Sequence, residues 1–253
     1  RIPTDAKSAI DILNQGNSVC IDYGKINNIL FFCTCGVGFD AFVSLKFADS
    51  GKRGLLTYLE NTLHESLTYQ PETYEIENEE GTVRHKAFLI ACGNASQYGN
   101  NAYITPHASL TDGLMDITIM EPFTVLDVPS LSFQLFNKTL DQNSRIKTMR
   151  AKKIKIHRQH DGVMHFDGDP LMAGKELEVE IIPAGLHVIA SPKKRTKEES
   201  ENLLQVISNY FSGLHLKGEE MLAKRQSHLF ELNRNLLGKL SKNKITSSNK
   251  NHG

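Results

Sequence analysis

What this sequence lacks narrows it first. Among its 253 residues there is no run of about 20 apolar side chains, the length a helix needs to cross a bilayer, which argues against a membrane-spanning helix. Charge of neither sign is in excess: Lys+Arg and Asp+Glu are both 29, so nothing in the total marks a dedicated nucleic-acid binder. Cysteine is sparse. Cys20, Cys33, Cys35 and Cys92 lie in apolar runs, with no CxxC pair and no histidine at zinc spacing. Reduced, buried thiols of a cytosolic protein are the simplest reading. Neither a signal peptide nor a repeat of solenoid length is present, and the opening Arg1-Ile2-Pro3-Thr4 reads as the interior of a longer chain, a fragment or a trimmed form. What remains is ordinary: 40% hydrophobic and 23% charged residues, enough to build a core.

Periodicity then assigns elements. Residues 5–16 predict a short helix with Ala9, Ile12 and Leu13 on one face and Gly16 as its stop. Strands are expected at 18–23 and 29–35, a helix at 39–48, and a longer helix at 54–69 with Leu55, Leu59, Leu63 and Leu67 at i, i+4 spacing. From residue 73 the texture turns to β, with strands at 73–77, 83–92, 114–120, 145–157, 163–166, 175–182 and 186–191, and one helix at 125–136. In Glu176-Leu177-Glu178-Val179-Glu180-Ile181 the alternation is strict, giving one acidic and one apolar face. Behind residue 192, Thr196 with Glu199 forms a capping-box pattern ahead of an apolar stripe, and a second helix follows Gly218. The fold class is α+β, mainly β. The expected divisions are 1–16, 17–191, a helical extension 192–241 and a disordered tail 242–253.

Several motifs carry chemistry or imitate it. Gly36-Val37-Gly38-Phe39-Asp40-Ala41 matches G-x-G-x-x-A, but a dinucleotide site needs a second parallel strand ending in an acid about 20 residues on. The helical spacing at 54–69 denies it that strand, so the glycines are read as a tight strand-to-helix turn with Asp40 near the free amides. Asp-Gly occurs at Asp112-Gly113, Asp161-Gly162 and Asp167-Gly168, each a good β-turn pair. In Phe166-Asp167-Gly168-Asp169-Pro170 two carboxylates stand two residues apart, an arrangement that favours a functional site or a cation. The turn at 105–116 could offer the Asp112 carboxylate and backbone carbonyls to a hard cation, or could be a capped turn only. No acid interrupts the basic series Arg145, Lys147, Arg150, Lys152, Lys153, Lys155 and Arg158. It either faces anionic headgroups or pairs Lys153 and Lys155 across strands with Glu178 and Glu180.

In order and spacing, Asp22-Tyr23-Gly24-Lys25-Ile26-Asn27, Gly36 to Ala41, Asn94 with Gly99, Pro106 with Asp112-Gly113-Leu114, and Asp167-Gly168-Asp169 resemble the C-terminal domain of the bacterial diacylglycerol/sphingosine-type lipid kinases. The resemblance runs from about residue 1 to 191. It implies a β-sandwich-like domain with flanking helices that supplies the lipid site and the catalytic acid. A separate N-terminal domain, whose Gly-Gly-Asp-Gly-Thr loop holds ATP, is absent from this sequence, and the chain alone is expected to be inactive. The family's base is the acid of an Asp-Gly-Glu motif and falls on Asp169, one methylene shorter. Asp22 falls on an acid that supports the charge network. The family's Mg²⁺ site falls on Ser109, Asp112 and Leu114, the serine and leucine through backbone oxygens. Lipid substrate, transient contact with the inner face of the membrane from the cytoplasm, no nucleic acid, and room for a homodimer complete the expectation, with acyl chains received between the β layers. Two other readings stay open: a non-catalytic lipid-binding or scaffold relative disabled at Asp169, and an NAD kinase-like enzyme acting on a soluble dinucleotide.

Overall fold

The computed structural model describes residues 2–3, 5–50, 69–99 and 101–191. The helix expected at 54–69, the extension at 192–241 and the tail at 242–253 lie outside these residues, apart from Tyr69. The first helix, α1 (Ala6–Gln15), forms as its caps dictate. The Asp5 carboxylate accepts from the Ser8 amide, and Gly16 closes the end at φ 64.

Twelve strands follow: β1 (Ser18–Ile26), β2 (Ile29–Phe31), β3 (Thr34–Gly38), β4 (Glu72–Asn78), β5 (Gly81–Ala87), β6 (Leu89–Gly93), β7 (Met115–Met120), β8 (Ile146–Ala151), β9 (Lys153–Arg158), β10 (Gly162–Phe166), β11 (Asp169–Ala173) and β12 (Glu176–Ile189). Two further helices are α2 (Phe39–Ser50) and α3 (Val128–Phe136). The strands form two six-stranded sheets. Sheet A runs β2-β1-β12-β9-β4-β5 and sheet B runs β11-β10-β3-β6-β7-β8. Every pairing is antiparallel, so the parallel unit of a dinucleotide-binding fold does not exist around Gly36 and Gly38.

Three apolar runs that look like single strands are each two strands in different sheets. The run 29–35 leaves sheet A at Phe31 and enters sheet B at Thr34. The run 83–92 changes sheet at Phe88, and 145–157 changes at Lys152. Such crossings join the sheets of a sandwich at its corners. Conversely, the strands expected at 175–182 and 186–191 are one strand, β12, carrying a bulge. Asp22 on β1 faces three residues, Pro183 to Gly185, because Ile21 pairs with Leu186 and Tyr23 with Ile182.

Between the sheets the core is made of the protein's own side chains. Ile26, Phe31, Tyr74, Ile76, Ile154, Ile156, Leu177, Val179 and Ile181 from sheet A meet Cys35, Val37, Ile90, Cys92, Met115, Ile117, Ile119 and Met164 from sheet B, all at 5% exposure or less. Each such aliphatic side chain contributes about 1.5–3 kcal/mol on burial. The space expected to receive acyl chains is thus filled. A second cluster, with Phe39, Val43, Phe88, Ile104, Leu131 and Leu140, joins α2 and α3 to sheet B. On the outer face of sheet A the alternation of β12 turns its glutamates outward, where Lys153 reaches Glu178 at 2.7 Å and Glu180 at 3.9 Å. Cross-strand pairing therefore accounts for Lys153. Lys155 stands opposite Glu178 in register.

Candidate active site

The hairpin β10–β11 presents the acidic pair. Phe166 pairs with Asp169, leaving Asp167 and Gly168 as a two-residue turn at φ 49 and 93. Two successive positive φ values are what this tightest class of hairpin demands, and Asp-Gly supplies them at low cost. The turn is fixed to the first sheet crossing. The Asp167 carboxylate accepts the amides of Phe32 at 2.7 Å, Cys33 at 2.7 Å and Thr34 at 3.0 Å, and its own amide donates to the Thr34 carbonyl at 2.8 Å. A chain that leaves one sheet for another strips these amides of their ladder partners, and the carboxylate replaces them. Cys33 reaches solvent in part, yet burial first and the Asp167 charge second push its thiol pKa up. Asp169 is exposed at the start of β11, and among the described residues its carboxylate has no hydrogen-bond or ion-pair partner.

Asp22 is 2% exposed and organises rather than reacts. One oxygen accepts from Ala184 at 2.7 Å, stabilising the β12 bulge, and the other from Gly113 at 2.8 Å. Its amide donates to the Leu110 carbonyl at 2.7 Å. The Asn94 side-chain amide bridges the carbonyls of Asp22 and Phe32 at 2.9 and 2.8 Å, while the amides of Asn94 and Ala95 both donate to Cys33. One continuous network therefore runs from the 109–114 turn through Asp22 and Asn94 to the 32–34 crossing and on to Asp167, and Asp169 follows two residues later in the same hairpin. The network joins Asp22 to the turn that carries Asp112 and Leu114 but leaves the Asp169 carboxylate outside it, and with both Asp22 oxygens bonded it is a scaffold for the corner.

The turn expected to hold Mg²⁺ is closed differently. Asp112 accepts the Leu114 amide at 3.2 Å through one oxygen and forms an ion pair with the Arg150 guanidinium through the other. Arg150 also reaches Asp116 at 3.2 Å from the facing strand. Burial raises the Asp116 pKa, and Arg150 offsets part of that rise. The Ser109 hydroxyl lies against Thr111. A hard divalent cation asks for six or more oxygens with free lone pairs, and a guanidinium on the only carboxylate of the set repels it. Ser109, Asp112 and Leu114, as arranged, do not fit the ion. Among the described residues no group of three His, Cys, Asp or Glu side chains converges as a metal site.

Two further clusters escaped the sequence. Asp40, at the start of α2, accepts from the Tyr98 hydroxyl at 2.7 Å and pairs with His165 at 3.0 Å. Gly36 makes room for that pair: a Cβ there would lie 2.5 Å from the Ile90 carbonyl and 2.8 Å from the Asp40 carboxylate. The glycine of the apparent nucleotide motif thus serves packing. Arg158, 7% exposed, donates to four carbonyls: Gly174 at 3.0 Å, Val163 at 3.1 Å, Gly162 at 2.8 Å and Ala173 at 2.7 Å. It clamps both strands of the β10–β11 hairpin at the open end, away from the Asp167-Gly168 turn, and burial lowers its pKa. The only hint of either in sequence was the Asp-Gly and Gly-rich punctuation around them.

Paired antiparallel sheets with an acid-bearing hairpin at one corner define an all-antiparallel β-sandwich domain. Residues 33–190 match the family described as YegS C-terminal NAD kinase beta sandwich-like domain, and the chain belongs to it. It is 27% identical over 194 residues to a protein of Escherichia coli (strain SMS-3-5) named probable lipid kinase YegS, covering 76% of this chain and 63% of that one. The namesake from Escherichia fergusonii is 28% identical over the same share. The chain spans less than two thirds of the length of these curated relatives. A solved structure of a diacylglycerol kinase from Bacillus anthracis shares the fold with a TM-score of 0.56 at 16% identity, over 76% of this chain and 61% of the other. The described residues are a lipid kinase family C-terminal domain. They contain no helix long and apolar enough to cross a membrane.

Proposed function

We propose that this chain is the lipid-acceptor part of an ATP-dependent lipid kinase, with Asp169 as the base that takes the proton of the attacking lipid hydroxyl. One observation carries the reading. Of the four acids that the motifs single out, Asp22 is held by two amides, Asp167 by three and Asp112 by Arg150, while the carboxylate of Asp169 alone stays exposed and unpaired. In the transfer step the hydroxyl O–H bond breaks and its proton goes to Asp169. The freed oxygen bonds to the γ-phosphorus of ATP, and the bond from that phosphorus to the bridging oxygen breaks, releasing ADP. Such a step needs alignment and a base in reach more than covalent chemistry by the protein.

In this reading ATP, with its accompanying Mg²⁺, is held by a separate nucleotide-binding domain of the full-length protein, and this chain alone gives no turnover. The lipid approaches from outside. Leu171 at 44% and Met172 at 62% exposure follow Asp169 on the edge strand β11 and offer apolar contact at a membrane surface on the cytoplasmic side. Each methylene buried there contributes about 0.8 kcal/mol.

The test is transfer of radiolabelled phosphate from ATP to diacylglycerol or sphingosine in mixed micelles by the full-length protein. Asp169→Asn is expected to lower the rate by about 10²–10⁴-fold. An unchanged rate removes Asp169 as the base. Failure of the unmutated protein to phosphorylate either lipid favours a non-catalytic, lipid-binding relative.

A further inference from the structure

We infer that Arg150 is a resident cation: its guanidinium occupies the place a divalent ion would take at the 109–114 turn and makes that turn independent of metal. The turn has two faces to secure. From inside, the buried Asp22 carboxylate accepts the Gly113 amide at 2.8 Å, and the Asp22 amide donates to the Leu110 carbonyl at 2.7 Å. From outside, Arg150 reaches across from β8 and joins Asp112, in the turn, to Asp116, the second residue of β7. Asp116 and Arg150 are direct cross-strand partners, so sheet register sets the arginine beside both carboxylates.

A planar fork bridging two carboxylates supplies charge neutralisation and directional bonds together, the two services an ion gives a carboxylate-bearing turn. It does so without asking the surrounding carbonyls to complete a coordination shell. A divalent ion entering here would have to displace the guanidinium from Asp112 and then tolerate its charge nearby, with the Asp112 oxygen that remains already accepting the Leu114 amide at 3.2 Å. The inference concerns the turn alone and stands apart from the reading of Asp169.

Thermal unfolding of this chain in EDTA, and in about 10 mM MgCl₂ or CaCl₂, tests it by linkage, since a ligand that binds only the folded state raises Tm. The unmutated chain is expected to shift by less than about 1 °C. Arg150→Gln is expected to lower Tm by about 3–6 °C in EDTA, to regain much of that loss with Ca²⁺ or Mg²⁺ through the freed Asp112 and Asp116, and to lose the response again in Arg150→Gln/Asp112→Asn. A rise of more than about 3 °C in the unmutated chain that Asp112→Asn abolishes overturns the inference, because the ion then binds beside Arg150. So does an Arg150→Gln protein that folds but ignores both ions. Should that variant fail to fold, titration calorimetry of the unmutated chain with CaCl₂ decides: saturable heat removed by Asp112→Asn refutes the inference, and its absence supports it.

Discussion

The bond between Asp167 and the 32–34 crossing is the feature on which the position of Asp169 depends, so its removal should be costly. Asp167→Ala deletes three charge-assisted hydrogen bonds, at 2.7, 2.7 and 3.0 Å. The Phe32 and Cys33 amides lie at exposed residues and regain water, so each loss costs about 0.5–1 kcal/mol, whereas the partly buried Thr34 amide costs about 1.5 kcal/mol. Alanine must also hold φ 49, a left-handed conformation that adds about 1 kcal/mol. The expected total is about 4 kcal/mol, a fall in Tm of about 8–16 °C for a domain of this size. Asp167→Asn tolerates the left-handed conformation and keeps one acceptor oxygen toward Cys33 and Thr34, but turns its NH₂ against the Phe32 amide, so about half the loss is expected. Differential scanning calorimetry of the three proteins gives the ranking directly. If both variants melt within about 2 °C of the parent, the carboxylate does not hold the corner and the account of how Asp169 is positioned fails.

Three other outcomes follow from the same geometry. Because burial and the Asp167 charge raise the Cys33 thiol pKa, its thiolate fraction at neutral pH falls below that of a free cysteine; peptide-mapped alkylation should be slow at pH 7.5 and faster in Asp167→Asn. Arg158→Lys should cost about 3–5 kcal/mol in a urea titration, since an ammonium cannot reach four carbonyls in a fork, and a cost below about 1 kcal/mol would show the clamp to be idle. Lys153→Met should change stability by less than about 1 kcal/mol, because its pairs with Glu178 and Glu180 are exposed and screened; a larger loss would mean the outer face of sheet A is an organised network.

How much of this was legible in the sequence depended on the range of the cause. The stop of α1 and the inward and outward faces of residues 176–181 were readable because each is decided within a few positions by Gly16 and a period of two. The sheet crossings were not readable. A run such as Ile29-Leu30-Phe31-Phe32-Cys33-Thr34-Cys35 has no breaker in it, and what bends it is a carboxylate more than 130 residues away. The same holds for the β12 bulge, stabilised by Asp22 from 162 residues away. Family resemblance put Asp22, Asp112 and Asp169 on one map, but it could not show that an arginine 38 positions downstream already holds Asp112. The residues of a site are local text, while their partners are set by topology.

Comparison of the three crossings explains why the unpaired acid sits where it does. At Phe88 the displaced amide finds the Met120 carbonyl at 2.7 Å, and at Lys152 the carbonyl is met by the Ile181 amide at 2.8 Å, so both corners close with backbone alone. At Phe32, Cys33 and Thr34 three successive amides emerge together, and one carboxylate, Asp167, accepts all of them. A carboxylate can accept all three, but to reach them it must stand on a turn that projects past the end of its own sheet. The Asp167-Gly168 hairpin is that turn, and the first residue beyond it, at the terminal pair of the ladder and shortly before apolar Leu171 and Met172, is Asp169. The position of the candidate base is therefore a consequence of satisfying the backbone where the chain changes sheets. A glutamate or an aspartate would be exposed at that point for the same reason, and the choice between them sets reach by one methylene without altering the corner.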